Sequence, residues 1–365
     1  MADLTPPPVE TLPGQTTRES LSPGRLRWQR FRRQRLGFTS LIIFLGLYVL
    51  SLGAEFIAND RPLVVRYAGQ WYAPVFHDYP ETTFGGTLPI YTHYQDPVIR
   101  ERLEQPGNLV IDPPIRFAYD SLNYFGGRRH YPGPPDHENW LGTDIAGYDV
   151  LAKLIYGFRV SVTFALLLTA VGIVLGTLIG AAQGYFAGKL DLIGQRFIEV
   201  WGALPELYLL IIFATVFDHS YLLVFIVLSL FGWITLSDYV RAEVLRNRQL
   251  DYVKAARAMG LSGWQIIRRH ILPNSLTPII TFLPFRMSAA IIALASLDFL
   301  GLGVTAPSPS LGHLLLQGKE NLDAWWISVS AFSALVLTML LLTFIGDALR
   351  NTFDTRYGTT PARAA

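Results

Sequence analysis

Long uncharged runs dominate the chain. Residues 160–182 and 325–345 contain no charge, and 38–58 contains one acid, Glu55. Three further runs, 200–217, 221–240 and 276–297, carry one charge each, namely Glu206, Asp238 and Arg286. A helix crosses a bilayer with about 20 apolar residues, so the pattern predicts an all-α membrane protein with six transmembrane helices. Single runs of this kind also occur as buried core helices, but six in one chain make that the weaker reading. The first run exceeds the 7–15 apolar residues of a signal peptide and no prompt A-x-A site follows, so we expect a retained helix. In the second run Gly172, Gly176 and Gly180 recur every four residues, continued by Gly184 and Gly188. Small residues at that interval predict a helix packed closely against another.

Charge sets an orientation. With the N-terminus inside, the flanks on that side hold seven, two, seven and three basic residues (before 38, at 183–199, at 237–275 and after 348), against one, Lys319, in the short outer loops. Long segments cross regardless of charge, so the eight basic residues of 59–157 do not alter the expectation that both termini are cytoplasmic. The chain then divides into a disordered, basic N-terminal tail (1–37), a first span (38–58), an outer insertion (59–157), a five-helix membrane domain (158–350) with a loop at 245–275, and a tail (351–365). Six arginines, Arg25, Arg27, Arg30, Arg32, Arg33 and Arg35, stand just before the first span. Beside a membrane, contact with anionic lipid is the better reading than nucleic acid. The insertion is rich in proline and in aromatics, including Tyr67, Trp71, Tyr72, Phe76, Tyr91, Tyr94, Phe117, Tyr119, Tyr124 and Phe125. A disordered linker would lack such aromatics, so a compact, loop-rich cap is expected on the outer face.

Composition narrows the chemistry. Of 365 residues 51% are hydrophobic and 16% charged, against about 25% charged in soluble domains. A net charge of +2 is too small to point to nucleic acid. With no cysteine, disulfides, thiolate metal sites, cysteine nucleophiles and Fe–S clusters are excluded. No G-x-x-x-x-G-K-[ST] occurs, so the chain is not its own ATPase. The histidines show no metal spacing, and His130 and His137 read as surface residues. Asp144 and Asp149 read as local caps rather than a catalytic carboxylate pair. We expect no bound cofactor or metal and no enzymatic activity.

The most informative stretch is Asp251-Tyr-Val-Lys-Ala-Ala-Arg-Ala-Met-Gly260, continuing to Leu272-Pro273. Residues 251–259 favour a helix, and Gly260 suits the left-handed position that ends one. Ser262 with Gln265 makes a capping box for a second helix, which must end or bend near Leu272-Pro273. Ala255 and Ala256, bordered by Lys254 and Arg257, leave a small surface on which another protein can sit. Two short helices with a fixed elbow make a rigid handle.

This loop resembles the EAA loop of binding-protein-dependent ABC importers. Ala255, Ala256, Gly260, Leu272 and Pro273 match, while Lys254 replaces the leading Glu and His270 an Ile. Trp140-Leu-Gly-Thr-Asp-Ile-Ala-Gly-Tyr-Asp149, Leu297-Asp-Phe-Leu-Gly-Leu-Gly303, Pro309-Ser-Leu-Gly312 and Gly346-Asp-Ala-Leu-Arg350 resemble the dipeptide and oligopeptide permeases. The insertion, with Gly69-Gln-Trp-Tyr-Ala-Pro-Val-Phe76, Tyr94-Gln-Asp-Pro97 and Pro114-Ile-Arg-Phe117, is similar to the YejE-type subunit of that group. The resemblance implies a type I, MetI-like permease of the bacterial inner membrane that passes peptides or peptide-like compounds such as microcin C. It also implies a second permease subunit, a periplasmic binding protein that delivers substrate, and a separate ATPase that hydrolyses ATP. Asp251, Lys254, Ala255, Ala256, Arg257, Gly260, Leu272 and Pro273 would then couple to the ATPase.

Ionisable residues inside spans are expensive and face a partner or a wet cavity. Arg286 lies about ten residues into its run, and Glu206 is a better candidate partner for it than Asp298, which lies off its helix face. A substrate contact and a structural pair remain equal readings. A membrane-anchored periplasmic enzyme or a stand-alone secondary transporter are the alternatives, but neither explains the 251–273 loop.

Overall fold

The computed structural model describes residues 23–122, 130–217, 219–305 and 307–353. The expected disorder of 1–22, the tail 354–365 and the aromatics Tyr124 and Phe125 lie outside these.

The chain begins with α1 (Pro23–Arg33), so its arginine-rich stretch is helical rather than part of a loose tail. It leads into the first span, α2 (Arg35–Leu52), and a single turn, α3 (Ala54–Ile57). In the insertion β1 (Val64–Tyr67) pairs antiparallel with β2 (Gln70–Tyr72), then α4 (Pro97–Leu103) precedes β3 (Leu109–Ile111) on the other edge of β1. The second span, α5, runs over Val150–Phe186. Next come α6 (Gly188–Gly202), α7 (Glu206–Val216), α8 (Tyr221–Phe231) and α9 (Ile234–Asn247). The loop helices α10 (Asp251–Ala258) and α11 (Gly263–Ile266) lead to α12 (Leu272–Phe299), α13 (Leu311–Glu320) and α14 (Trp325–Phe353).

Among the described residues five helical segments are long and apolar enough to span, and a sixth span is reached if the bent pair α6–α7 crosses as one. One expected span is broken. The 200–217 run bends by 62° between α6 and α7, because Pro205 cannot donate into a continuing helix. The 221–240 run lies in one span, Tyr221–Asn247, whose helix is interrupted locally at Gly232 and Trp233. The second span starts ten residues earlier than its uncharged run, which trims the insertion to 59–149. At 1.5 Å per residue its 37 residues reach roughly 55 Å, well beyond a bilayer core of about 30 Å, so its polar ends stand outside the apolar layer.

The glycine series does what its spacing predicts. A Cβ on Gly176 would lie 2.9 Å from the Trp233 carbonyl, on Gly180 2.3 Å from the Ser237 carbonyl and on Gly184 2.7 Å from the Arg241 carbonyl. These three glycines therefore seat α5 directly on the α9 backbone. Gly188, with open space around it, does not take part. Substituting Gly180 by Ala drives a methyl into backbone, which cannot rotate away. We expect a loss of about 2–3 kcal/mol, read as a lowered melting temperature of the solubilised protein; Gly46→Ala, on α2 with open space around it, should not lower it.

The insertion packs into a cap built around a small sheet. Val65, Phe84, Tyr94, Ile99 and Leu103 form its core, with Phe84 ringed edge-on by Tyr67, Tyr72, Tyr79 and Tyr94. Arg100 straps α4 to the loop after β3 through both oxygens of Asp112; that ion pair raises the Arg100 pKa despite burial. The cap is fastened to the spans where Ala58 pairs with Ile115, the Tyr156 hydroxyl donates to the Ala58 carbonyl at 3.0 Å, and Arg159 meets Glu55 at 2.8 Å. These contacts fix the cap over the end of α5.

Candidate functional site

The handle of the 251–273 loop forms as its residues dictate. Helix α10 ends in a Schellman motif. The Gly260 N–H donates to the Arg257 carbonyl at 3.0 Å and the Leu261 N–H to the Ala256 carbonyl at 3.2 Å, with Gly260 at φ +81°. Both halves of the capping box are present at Ser262 and Gln265. The expected end or bend at Leu272-Pro273 is replaced by a π-helical turn over Ile267–Ile271, in which the Leu272 N–H reaches the Ile267 carbonyl. The wider turn absorbs the proline, so α11 runs through to α12.

One expectation is corrected. Ala255 and Ala256 do not form a shared outer surface, because successive helical residues are about 100° apart. Val253 and Ala256 share one face and are both fully buried against Ile266, Ile267, Ile271 and, from the spans, Tyr185, Leu236, Val240 and Val244. Ala255 faces outward beside Asp251 and Lys254, which pair at 3.1 Å. Arg257 lies over the Tyr185 ring. Leu272 packs against the buried cluster and Pro273 is exposed. The outer face also carries Met259 (73% exposed) and Trp264 (52%). This face is thus packed, through Ala256 and the isoleucines, onto α5, α9 and α12.

The intramembrane charges are arranged differently from the expectation. Glu206 and Arg286 form no ion pair among the described residues, and neither do Asp298 and Arg286. The Arg286 guanidinium donates instead to the Gly232 carbonyl. Breaks in lipid-embedded helices survive only where freed backbone groups find partners. Here the interruption between α8 and α9 is met by three side chains: Arg286 on Gly232, and the indoles of Trp201 and Trp233 on the Leu230 carbonyl, at 3.0 and 2.8 Å. Gly172 leaves room for this, since a Cβ there would stand 2.9 Å from Arg286. Glu206 opens α7 just after the bend. Replacing Arg286 by Leu should cost about 1–3 kcal/mol through the orphaned carbonyl. In a double-mutant cycle with Glu206→Gln the losses should add, measured by thermal denaturation; coupling between them would restore the paired reading.

At the other membrane edge the two acids of the 140–149 motif are caps, as expected, and one has a partner that sequence reasoning missed. Asp149 accepts from the Ala152 N–H at 2.7 Å and starts α5, with Asn139 at 2.9 Å; burial raises its pKa. Asp144 accepts from the Ala146 and Tyr148 amides and is fully buried against Lys153 at 2.6 Å. Lys153 also lies over the Tyr148 ring, and Gln317 and Trp326 join the motif to α13 and α14. Burial, with Lys153 close by, pushes the His313 imidazole pKa down. His130 and His137 are exposed, as expected. The missed signal was a lysine two turns before an uncharged run, nine residues after an acid. The Pro309-Ser-Leu-Gly312 motif is explained by Asp298, whose carboxylate accepts from the Ser310 hydroxyl at 2.5 Å and the Val304 amide at 3.3 Å. Gly303 and Gly312 leave the space this needs.

Comparison with known proteins gives the family. Residues 150–359 match the family "binding-protein-dependent transport system inner membrane component", and 22–82 match the "N-terminal TM domain of oligopeptide transport permease C". The "inner membrane ABC transporter permease protein YejE" of Escherichia coli is 50% identical over 92% of this chain and 98% of its own length. The "peptidoglycan transport system permease protein YejE" of Agrobacterium fabrum is 42% identical over 90% and 92%. The "glutathione transport system permease protein GsiD" of Pectobacterium atrosepticum is 34% identical over 65% and 78%. An inward-facing structure of the MetNI methionine ABC transporter aligns with a TM-score of 0.46 at 18% identity, covering 55% of this chain and 97% of that one. The chain belongs to the binding-protein-dependent inner membrane components, the multi-pass permease subunits of ABC importers.

Proposed function

We propose that the chain passes peptides or peptide-like compounds, microcin C among them, across the inner membrane as one of two unlike permease subunits. A periplasmic binding protein delivers the substrate onto the cap, and a separate ATPase supplies the energy, the chain itself binding no cofactor and catalysing no reaction. Both termini and the 251–273 handle lie in the cytoplasm, in line with the nineteen basic residues on that side. Relatives named for peptidoglycan, glutathione and oligopeptide transport support a substrate with peptide bonds. Arg286 and Glu206 stand beside the two helix breaks, where a path between subunits would run.

The observation that carries this reading is the handle: a capped two-helix element, exposed outward at Ala255, Met259 and Trp264 and rooted inward in three spans. Affinity purification of the tagged chain tests it. An ATPase and a second permease subunit should co-purify, and Ala255→Trp should release the ATPase while the second subunit stays bound. Reproducible purification of the chain alone would overturn the proposal.

A further inference from the structure

Helix α1 carries five arginines in eleven residues and no acid, and Arg35 follows it. All six are exposed, and among the described residues none is in an ion pair. Even Asp347, the exposed acid on α14, pairs with none of them. A run of this density, unneutralised among the described residues, attracts anionic lipid.

The helix is also held in place. Phe31, 3% exposed, is its anchor, set edge-on against Phe38 at 6.3 Å. Gln34 donates to the Thr352 hydroxyl at 3.2 Å, and Arg27 lies over the Phe353 ring at 5.0 Å. Trp28, half exposed, stacks on Phe31 at the level of the span ends, the depth that tryptophan favours at a membrane–water boundary.

Between α1 and the spans lies a groove of about 340 Å³. Its floor is apolar, from Phe31, Leu41, Ile280, Ile345 and Leu349, and Arg27 stands at its rim. The groove is open at Ile280, which is 42% exposed on a membrane-spanning helix. A volume of this order suits a bound ligand. An apolar slot beneath a cationic rim, at the boundary between headgroups and tails, matches one ligand in both halves.

We propose that this groove is a binding site for a single anionic phospholipid. One acyl chain lies along Leu41, Ile280 and Leu349, and the phosphate meets Arg27, with Arg30 one turn on. The chain's own tail fits less well, since residues 354–365 contain no Leu, Ile, Val, Met, Phe or Trp. The site would make the seating of α1, and through α12 and α14 the membrane domain, depend on the charge of the surrounding lipid.

Native mass spectrometry of the purified full chain, titrated with phosphatidylglycerol or phosphatidylcholine, tests this. The wild type should retain one phosphatidylglycerol through activation that strips phosphatidylcholine. Arg27→Gln/Arg30→Gln should bind phosphatidylglycerol roughly ten- to thirtyfold more weakly, while Arg66→Gln, on the cap, should bind it normally. Ile280→Trp, which fills the slot and keeps every arginine, should also lose the retained lipid. Equal retention of both lipids, or full retention in the double arginine variant, would overturn the site. Loss in the arginine variant with none in Ile280→Trp would mean surface attraction without a groove, and overturns it equally. Deleting 354–365 should change nothing; a gain in lipid binding would show that the tail is the occupant.

Discussion

Replacing Lys153 by Met should destabilise the protein by about 3–5 kcal/mol, the range for stripping one partner from a buried ion pair. The pair is completely enclosed: Lys153 and Asp144 are 3% and 0% exposed. Removing the ammonium leaves the carboxylate sealed in the protein with only neutral donors in compensation, the Ala146 and Tyr148 amides and, at 3.4 Å, the Gln317 side chain. Those amides belong to the turn that hands the chain to α5, so the damage should appear as loss of the folded membrane domain rather than of transport alone. Thermal denaturation of the solubilised protein measures it. The double variant Lys153→Met/Asp144→Asn should recover more than half of the loss, because an amide oxygen still accepts from Ala146 and Tyr148 without carrying charge. A Lys153→Met protein that melts with the wild type would show that the pair contributes nothing.

The largest effect on transport itself is expected at Gly260. Its φ of +81° is closed to β-branched residues, yet no atom lies within 4 Å of where a Cβ would stand. Any penalty is therefore local to the backbone, about 1–2 kcal/mol or more for Val. That strain would turn α10 relative to α11 and pull Ala256 from its seat. Gly260→Val should reduce ATP-dependent uptake about tenfold, a factor that corresponds to about 1.4 kcal/mol, while insertion into the membrane persists. Gly260→Asn, which tolerates the left-handed region, should keep most of the activity. This contrast separates geometry from bulk. Normal uptake with Val would remove the coupling role from the loop, and equal losses with Asn and Val would point to contact with the partner instead.

The sequence by itself determined whatever depends on local periodicity and on chain chemistry within a few residues. The apolar runs located the membrane helices, because a bilayer demands a long uncharged segment whatever it packs against. Glycines at every fourth position marked the face on which α5 meets α9, and Gly260, Ser262 and Gln265 specified an elbow whose hydrogen bonds all close within six residues. The motif resemblance led to the family for the same reason, as its residues are contiguous.

Tertiary structure decided every question of which face and which partner. Ala255 and Ala256 are alike in sequence, and only the isoleucines of α11 and the following turn settle that Ala256 is the buried one. Arg286 was free to seek Glu206 or Asp298 by charge, but neither pairs with it; the carbonyl exposed by the break at Gly232 lies 54 positions away in the chain and within reach in space. The groove under α1 joins residues from 24 to 353, a separation no pattern in the chain can express. Local rules act over one or two turns, whereas a buried charge takes its partner from whichever backbone the fold brings beside it.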